Sequence, residues 1–297
     1  MRLLILSDGR MGHVNQSIAF AKYLNAEYEI ILVNFTCKAS KMLSYVLDWL
    51  HCYVSGIFAY ETPQQPSYDA IVCAGSTTYY AAKVVSKKFH TSSITMMLPK
   101  GYRYDFDTIF AQTHDNPPLQ DNIIPLPANF SYVEPKGLFV PKGKSVGIII
   151  GGNNALFTMD KARLKEQLDF IFKQFQGYEI AVTTSPRTPK EIESLVESYP
   201  FVYSVIFSQN KINPIADFLH HCEVVFITMD STSMISEAIS YGASCIEILP
   251  LDNTQNTKFY TMVQTLEHEA YLHIFDETIA LNNRKINFET YAQRLNA

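Results

Sequence analysis

The 297-residue chain is 47 % hydrophobic and 18 % charged, with a formal net charge of −5. That suffices for two compact α/β domains of about 140 residues each, and the lack of any basic block argues against a nucleic-acid partner. The five cysteines (Cys37, Cys52, Cys73, Cys222, Cys245) show no Cys-x-x-Cys spacing and read as small core residues in a reducing compartment.

No apolar run approaches the roughly 18 residues a membrane-spanning helix needs, and Leu3–Leu6 is too short for a signal peptide. A cytoplasmic location is the expectation. Along the chain, apolar runs alternate with helical patterns: Leu3–Leu6, Ile30–Val33, Ala70–Cys73, Ile94–Leu98, Thr108–Ala111 and Ile123–Leu126. Their continuous rather than alternating apolarity suits parallel strands buried on both faces. A segment rich in proline and glycine follows (Pro125, Pro127, Pro135, Gly137, Pro141, Gly143) and is the linker candidate. A second series then runs through Val146–Ile150, Ile180–Thr184, Val202–Phe207, Val224–Thr228 and Cys245–Leu249. The expected architecture is α/β, with two doubly wound, Rossmann-like domains over 1–140 and 141–297 facing each other across a cleft. The amphipathic helix expected at Ile286–Leu295 is placed back on the first domain.

The first strand enters Ser7-Asp8-Gly9-Arg10-Met11-Gly12-His13-Val14-Asn15-Gln16, and the loop opens a helix carrying Ile18, Ala21 and Leu24. Gly9 and Gly12 permit a sharp turn and close ligand approach. Free N–H groups at the helix start point to the carboxyl ends of the strands, where ligands bind in open sheets. His13 is there a candidate base, with Asn15 and Gln16 beside it; an ordinary turn is the alternative. Two further strand ends in this half carry polar groups: Gly75-Ser76-Thr77-Thr78, where Ser76 is a candidate for the acceptor side, and Gln112-Thr113-His114-Asp115, where His114 and Asp115 are a second candidate catalytic pair.

Three strand ends of the second half favour a nucleotide. Gly151-Gly152-Asn153-Asn154 offers close backbone approach to an anion. Thr184-Ser185-Pro186-Arg187-Thr188-Pro189-Lys190-Glu191 offers hydroxyls, the fork of Arg187 and a Thr188–Glu191 capping box. Asp230-Ser231-Thr232-Ser233 opens a helix expected to present Ser233, Ser236, Glu237 and Ser240 on a polar face opposite Met234, Ile235, Ala238 and Ile239. Donor candidates are therefore Gly151, Gly152, Asn153, Thr184, Ser185, Arg187, Asp230, Ser231, Ser233 and Glu237, the last for ribose or sugar hydroxyls. His-Glu-x-x-His, the nucleophile elbow and the P-loop lysine pattern are absent, so no metal and no cofactor is expected. Lys41–Tyr60 (KMLSYVLDWLHCYVSGIFAY) is apolar nearly all round and holds the only tryptophan, Trp49. A buried helix is the first expectation there, and an aromatic patch flanked by Lys38 and Lys41 that rests on a bilayer or binds a lipid-linked acceptor is the alternative.

Asp8-Gly9-Arg10-Met11-Gly12-His13-Val14-Asn15-Gln16-Ser17, Thr113-His114-Asp115, Gly151-Gly152, Ser185-Pro186-Arg187-Thr188-Pro189, Asn213-Pro214 and Thr228 through Ala238 together resemble the family named for the plant mitochondrial fission factor ELM1. Its bacterial members are related to GT-B glycosyltransferases. Asn153-Asn154-Ala155 and Pro186 depart from that pattern, leaving Arg187 alone for phosphate. The resemblance implies a GT-B fold, an acceptor-binding first domain, a nucleotide-sugar-binding second domain and His13 in the position of a general base. The expected activity is metal-independent, inverting transfer of a sugar from a nucleotide-sugar substrate to an envelope or lipid-linked saccharide at the inner membrane face. A nucleotide-sugar epimerase and a non-catalytic adaptor of the same shape are the alternatives.

Overall fold

The computed structural model describes residues 1–253 and 258–296. The chain divides into two compact units, Met1–Tyr132 with Asn287–Ala297, and Val133–Ile286.

In unit 1 the chain runs through β1 (Arg2–Ser7), α1 (Met11–Tyr23), β2 (Glu27–Phe35), α2 (Lys38–Trp49), β3 (Phe58–Tyr60), β4 (Ala70–Cys73), α3 (Tyr79–Phe89), β5 (Ser92–Thr95), β6 (Thr108–Gln112) and β7 (Ile123–Leu126). The sheet order is β3-β2-β1-β4-β5-β6-β7, parallel except for the antiparallel β2–β3 pair. Leu3 to Leu6 are wholly buried because helices cover both faces of the sheet. On the α3 face, Leu4, Leu6, Ile31, Val33, Ile71 and Tyr80 form the core. On the α1 face, Phe20 packs on Phe110 and Phe130 at ring separations of 5.3 and 5.8 Å.

Unit 2 contains β8 (Ser145–Ile150), β9 (Phe157–Thr158), α4 (Lys161–Gln174), β10 (Glu179–Thr184), α5 (Lys190–Glu197), β11 (Tyr203–Val205), α6 (Ile215–His221), β12 (Val224–Thr228), α7 (Thr232–Ala238), β13 (Cys245–Leu249), β14 (Asp252–Asn253), α8 (Lys258–His268) and β15 (His273–Ile274). Its main sheet is wholly parallel in the order β11-β10-β8-β12-β13-β15, with β9 and β14 forming a separate antiparallel pair. The last helix, α9 (Phe288–Ala292), belongs to unit 1, where Phe288 stacks on Phe130 at 4.8 Å.

Both sheets reverse strand order beside their first strand, between β1 and β4 and between β8 and β12. Such switch points open a crevice at the carboxyl ends of the strands.

Three expectations are corrected. The apolar stretch from Lys41 is not a buried helix: α2 ends at Trp49, which is 70 % exposed, and the only α2 residues fully buried are Ser44 and Asp48. Of the five cysteines, Cys73, Cys222 and Cys245 are buried, whereas Cys37 and Cys52 are exposed at the two ends of α2. The strand expected over Val202–Phe207 shrinks to Tyr203–Val205, because Ile206 begins a turn that accepts Gln209 and Asn210 N–H.

Candidate functional site

At the switch point of unit 1, Asp8 and His13 meet. His13 Nδ1 lies 2.9 Å from Asp8 Oδ2, and the Asp8 side chain is only 5 % exposed. A carboxylate at that distance accepts, so Nδ1 carries a proton, and in the neutral ring the lone pair is on Nε2. Asp8 Oδ1 accepts Arg10 N–H at 3.1 Å, which fixes the carboxylate on the loop that carries it. The neighbouring strand end closes the pair from the other side. A β-carbon on Gly75 would lie 2.3 Å from His13 Nδ1 and 2.9 Å from Asp8 Oδ2, and its φ of +93° is one that side chains rarely adopt. Asp8 stands in the sequence motif, but its role went unread there; an acid at a strand end, five residues before a histidine that opens a helix, was the available signal.

Around this pair the other expected residues divide. Gly9, Gly12 and Asn15 are exposed at the start of α1. Ser76 is half-buried, and its hydroxyl accepts from Lys41 Nζ at 2.9 Å. Gln16 is instead a packing residue, 4 % exposed: it donates to Gly12 O and accepts from Gln112 Nε2. Asp115 forms an ion pair with Lys100 Nζ at 2.7 Å, and the ring-facing acid at this switch point is Asp8, on His13.

At the switch point of unit 2, one carboxylate organises three loops. Asp230 is fully covered in its side chain and accepts from Gly152 N–H (3.0 Å), Thr228 Oγ1 (2.7 Å) and Arg187 Nη2 (2.8 Å). Burial pushes its pKa up, against the opposing pull of these donors. Gly151 N–H is taken by Thr228 Oγ1 at 2.7 Å. A β-carbon at Gly151 would lie 2.0 Å from Asp230 Oδ1, and one at Gly152 would lie 2.1 Å from Arg187 O. The glycine pair was expected to offer its amides to an anion; both are held within the protein, and the glycines serve close packing of the loops.

Several hydroxyls and amides are likewise internal. Asn153 Oδ1 accepts Met159 N–H, Thr184 Oγ1 accepts Phe207 N–H, and Ser185 Oγ accepts Arg187 N–H. The Thr188–Glu191 capping box is not made, since Pro189 is the N-cap of α5 and Thr188 Oγ1 donates to Gly151 O. Ser231 caps α7 through Met234 N–H. Ser233 and the Arg187 side chain, 43 % exposed, face outward.

The polar face expected on α7 is also revised, because Ser236 is buried and donates to Thr232 O. Glu237 is half-buried, its carboxyl has no hydrogen-bond partner among the described residues, and burial pushes that carboxyl up to about 7. Among the described residues no group of three His, Cys, Asp or Glu is placed to hold a metal ion.

The profile of the family described as mitochondrial fission ELM1 matches residues 11–296. The chain belongs to that family. A relative in Rickettsia prowazekii (strain Madrid E), described as the uncharacterized protein RP120, is 24 % identical over 95 % of this chain and 92 % of its own. Among solved structures, a UDP-glucosyltransferase from Polygonum tinctorium matches with TM-score 0.52 at 10 % identity, over 97 % of this chain and 87 % of its own. UGT89C1 of Arabidopsis thaliana, complexed with UDP-L-rhamnose, matches with TM-score 0.51 at 12 % identity, over 99 % and 92 %. The UDP-GlcNAc 2-epimerase of Methanocaldococcus jannaschii matches with TM-score 0.50 at 12 % identity, over 99 % of both chains. The fold of this ELM1-family chain is therefore GT-B, two Rossmann-like units in succession. No helix among its described residues is long and apolar enough to cross a membrane.

Proposed function

We propose that the protein is an inverting glycosyltransferase that moves a sugar from a nucleotide-activated donor to a saccharide acceptor, free or lipid-linked, without a metal cofactor. The observation that carries this reading is the Asp8–His13 pair at the β1–β4 switch point, which leaves Nε2 unpartnered among the described residues. In the reaction the acceptor hydroxyl gives its proton to His13 Nε2 while its oxygen attacks the anomeric carbon. The bond from that carbon to the diphosphate breaks, and its electron pair leaves on the phosphate oxygen. Asp8 stabilises the imidazolium that forms.

Donor chemistry in this reading falls to unit 2. Arg187 is the cation for the departing diphosphate, since one of its nitrogens is anchored on Asp230 and the rest of the fork is open. Ser233 supplies an exposed hydroxyl, and the unpartnered Glu237 carboxylate suits ribose or sugar hydroxyls. The similarity to UDP-sugar enzymes supports a nucleotide-sugar as the partner, and the cytoplasm is the compartment that supplies one.

Titration calorimetry with a panel of nucleoside diphosphates, with and without chelator, tests the donor half. Product analysis with the matching nucleotide-sugars tests the transfer. The expected result is binding that survives chelation and is weakened at least about tenfold by Arg187→Ala, through loss of a charged hydrogen bond. Release of an epimerised donor sugar would assign the epimerase activity instead. A second reading, a non-catalytic adaptor, has its own supporting observation: the Gly151 and Gly152 amides are already occupied by Thr228 and Asp230. Failure of every nucleotide to bind would overturn our reading and favour the adaptor.

A further inference from the structure

Helix α2 is inside out. The residues it buries are polar, and the residues it exposes are apolar. Ser44 faces inward, donating to Lys41 O and meeting Tyr102 Oη at 2.9 Å. One turn later Asp48, 1 % exposed, accepts from Lys83 Nζ at 2.6 Å and from Arg103 N–H at 2.7 Å. The helix is thus fastened to unit 1 by hydrogen bonds and an ion pair, with Tyr45 and Leu47 packing at its flank. Outward stand Met42 (67 %), Leu43, Val46 (51 %), Trp49 (70 %) and Leu50, followed by Val54 on the next loop. Positions 42, 46, 49 and 50 recur at helical spacing and form one continuous stripe. A helix facing only water carries polar residues there, and a stripe of this kind marks a surface that something covers.

Charge identifies the occupant. The protein as a whole is acidic, with a net charge of −5, yet residues 36–60 hold Lys38 and Lys41 and a single carboxylate, Asp48, which is buried and paired. Lys38 is exposed at the start of the stripe. At its far end, Lys87 sits over the Tyr53 ring at 4.5 Å, and Lys88 Nζ donates to Tyr60 Oη at 3.0 Å. An apolar ridge with tryptophan toward one end, lysines near both ends and no exposed acid among its own residues 38–54 suits the boundary layer of a bilayer bearing anionic headgroups. The nearby Asp105, which accepts from Tyr53 Oη at 3.0 Å, is itself paired with Lys83 and Arg103. Twelve residues are too few to span it, so the helix lies in the interfacial plane.

We propose that α2 docks the protein on an anionic lipid surface, with Met42, Val46, Trp49 and Leu50 inserted among the acyl chains and Lys38 at the headgroups. This goes beyond glycosyl transfer, because a non-catalytic adaptor would use the same face.

The test is co-sedimentation with vesicles of mixed phosphatidylcholine and phosphatidylglycerol, read together with the emission of Trp49, the only tryptophan. Binding and a blue shift are expected, falling in high salt and with vesicles of phosphatidylcholine alone. Met42→Ser/Val46→Ser/Leu50→Ser, which keeps the reporter, should lower partitioning by about tenfold or more. Lys38→Gln should lower it by about fivefold. Because these side chains are exposed, both variants should melt with the wild type, and nucleotide binding should be unaltered. Equal binding to neutral vesicles would overturn the anionic part of the proposal. Absence of binding, with a self-associated species that the triple variant dissociates, would show that a second copy covers the stripe.

Discussion

The two switch points use the same device to different ends. In each, a buried aspartate at a strand end gathers a cationic or ionisable side chain, and a glycine on the adjoining strand end packs against it. Asp8 takes His13 with Gly75 alongside, and Asp230 takes Arg187 with Gly151 and Gly152 alongside. The difference lies in what stays open. Each acid accepts from one backbone amide, Asp8 from Arg10 and Asp230 from Gly152, but Asp8 leaves an imidazole nitrogen unused, whereas Asp230 also draws in the Thr228 hydroxyl, so that chiefly the Arg187 fork remains. The first arrangement suits the proton acceptor proposed for His13. The second is that of a support holding one cation in place. A carboxylate at a strand end therefore does not by itself mark a ligand contact; the number of internal donors it already satisfies decides its role.

Four measurements would break or sharpen that contrast. The largest effect is expected from His13→Ala, which should cut sugar transfer by about 10²–10⁴-fold, as general bases do, while nucleoside diphosphate affinity and melting temperature hold. Unchanged turnover would exclude His13 as base. Asp8→Asn should lower turnover on the order of 10²-fold, again without affecting nucleotide affinity, because the ring loses the charge that stabilises its protonated form.

The support in unit 2 should answer differently. Asp230→Ala strips Gly152 N–H and the Thr228 hydroxyl of their acceptor, so stability should drop by about 1–3 kcal/mol, together with diphosphate affinity. Denaturant unfolding beside calorimetry reads both, and an unshifted midpoint would show that the acid holds nothing. The smallest effect belongs to Glu237. Its folded carboxyl lies near 7, above the ordinary value of 4.5, so the ionised form is disfavoured in the folded state. The wild type therefore gains stability as pH falls from above 7 toward 4.5, and the uncharged Glu237→Gln lacks that gain. The variant should melt a few degrees higher than wild type at pH 8, and the gap should close as pH falls to about 4.5. Parallel curves across that range would return Glu237 to solvent.

Much of this was legible in the sequence. Runs such as Leu3–Leu6 and Val224–Thr228 are read as parallel strands because burial on both faces demands unbroken apolarity, and both are strands in the structure. Pieces as short as β3, β9, β14 and β15 carry too few residues for any period and went unseen. The strand ends pointed to the right loops. Which groups there are spent internally is a matter of distance, so Thr184, Asn153 and the glycine amides looked available when they are not. α2 misled for a different reason: composition reports how apolar a helix is, and only packing reports which side faces out.

The return of α9 to unit 1 has a consequence for the order of events during synthesis. Phe288 completes the cluster of Phe20, Phe110 and Phe130, yet it leaves the ribosome after the whole of Val133–Ile286. Unit 2 can close on its own residues as soon as they emerge, whereas unit 1, begun first, waits with an aromatic face uncovered until the last stretch arrives. The usual amino-to-carboxyl sequence of domain completion is thereby inverted, and unit 1 is the half exposed to chaperones and misassembly for longest.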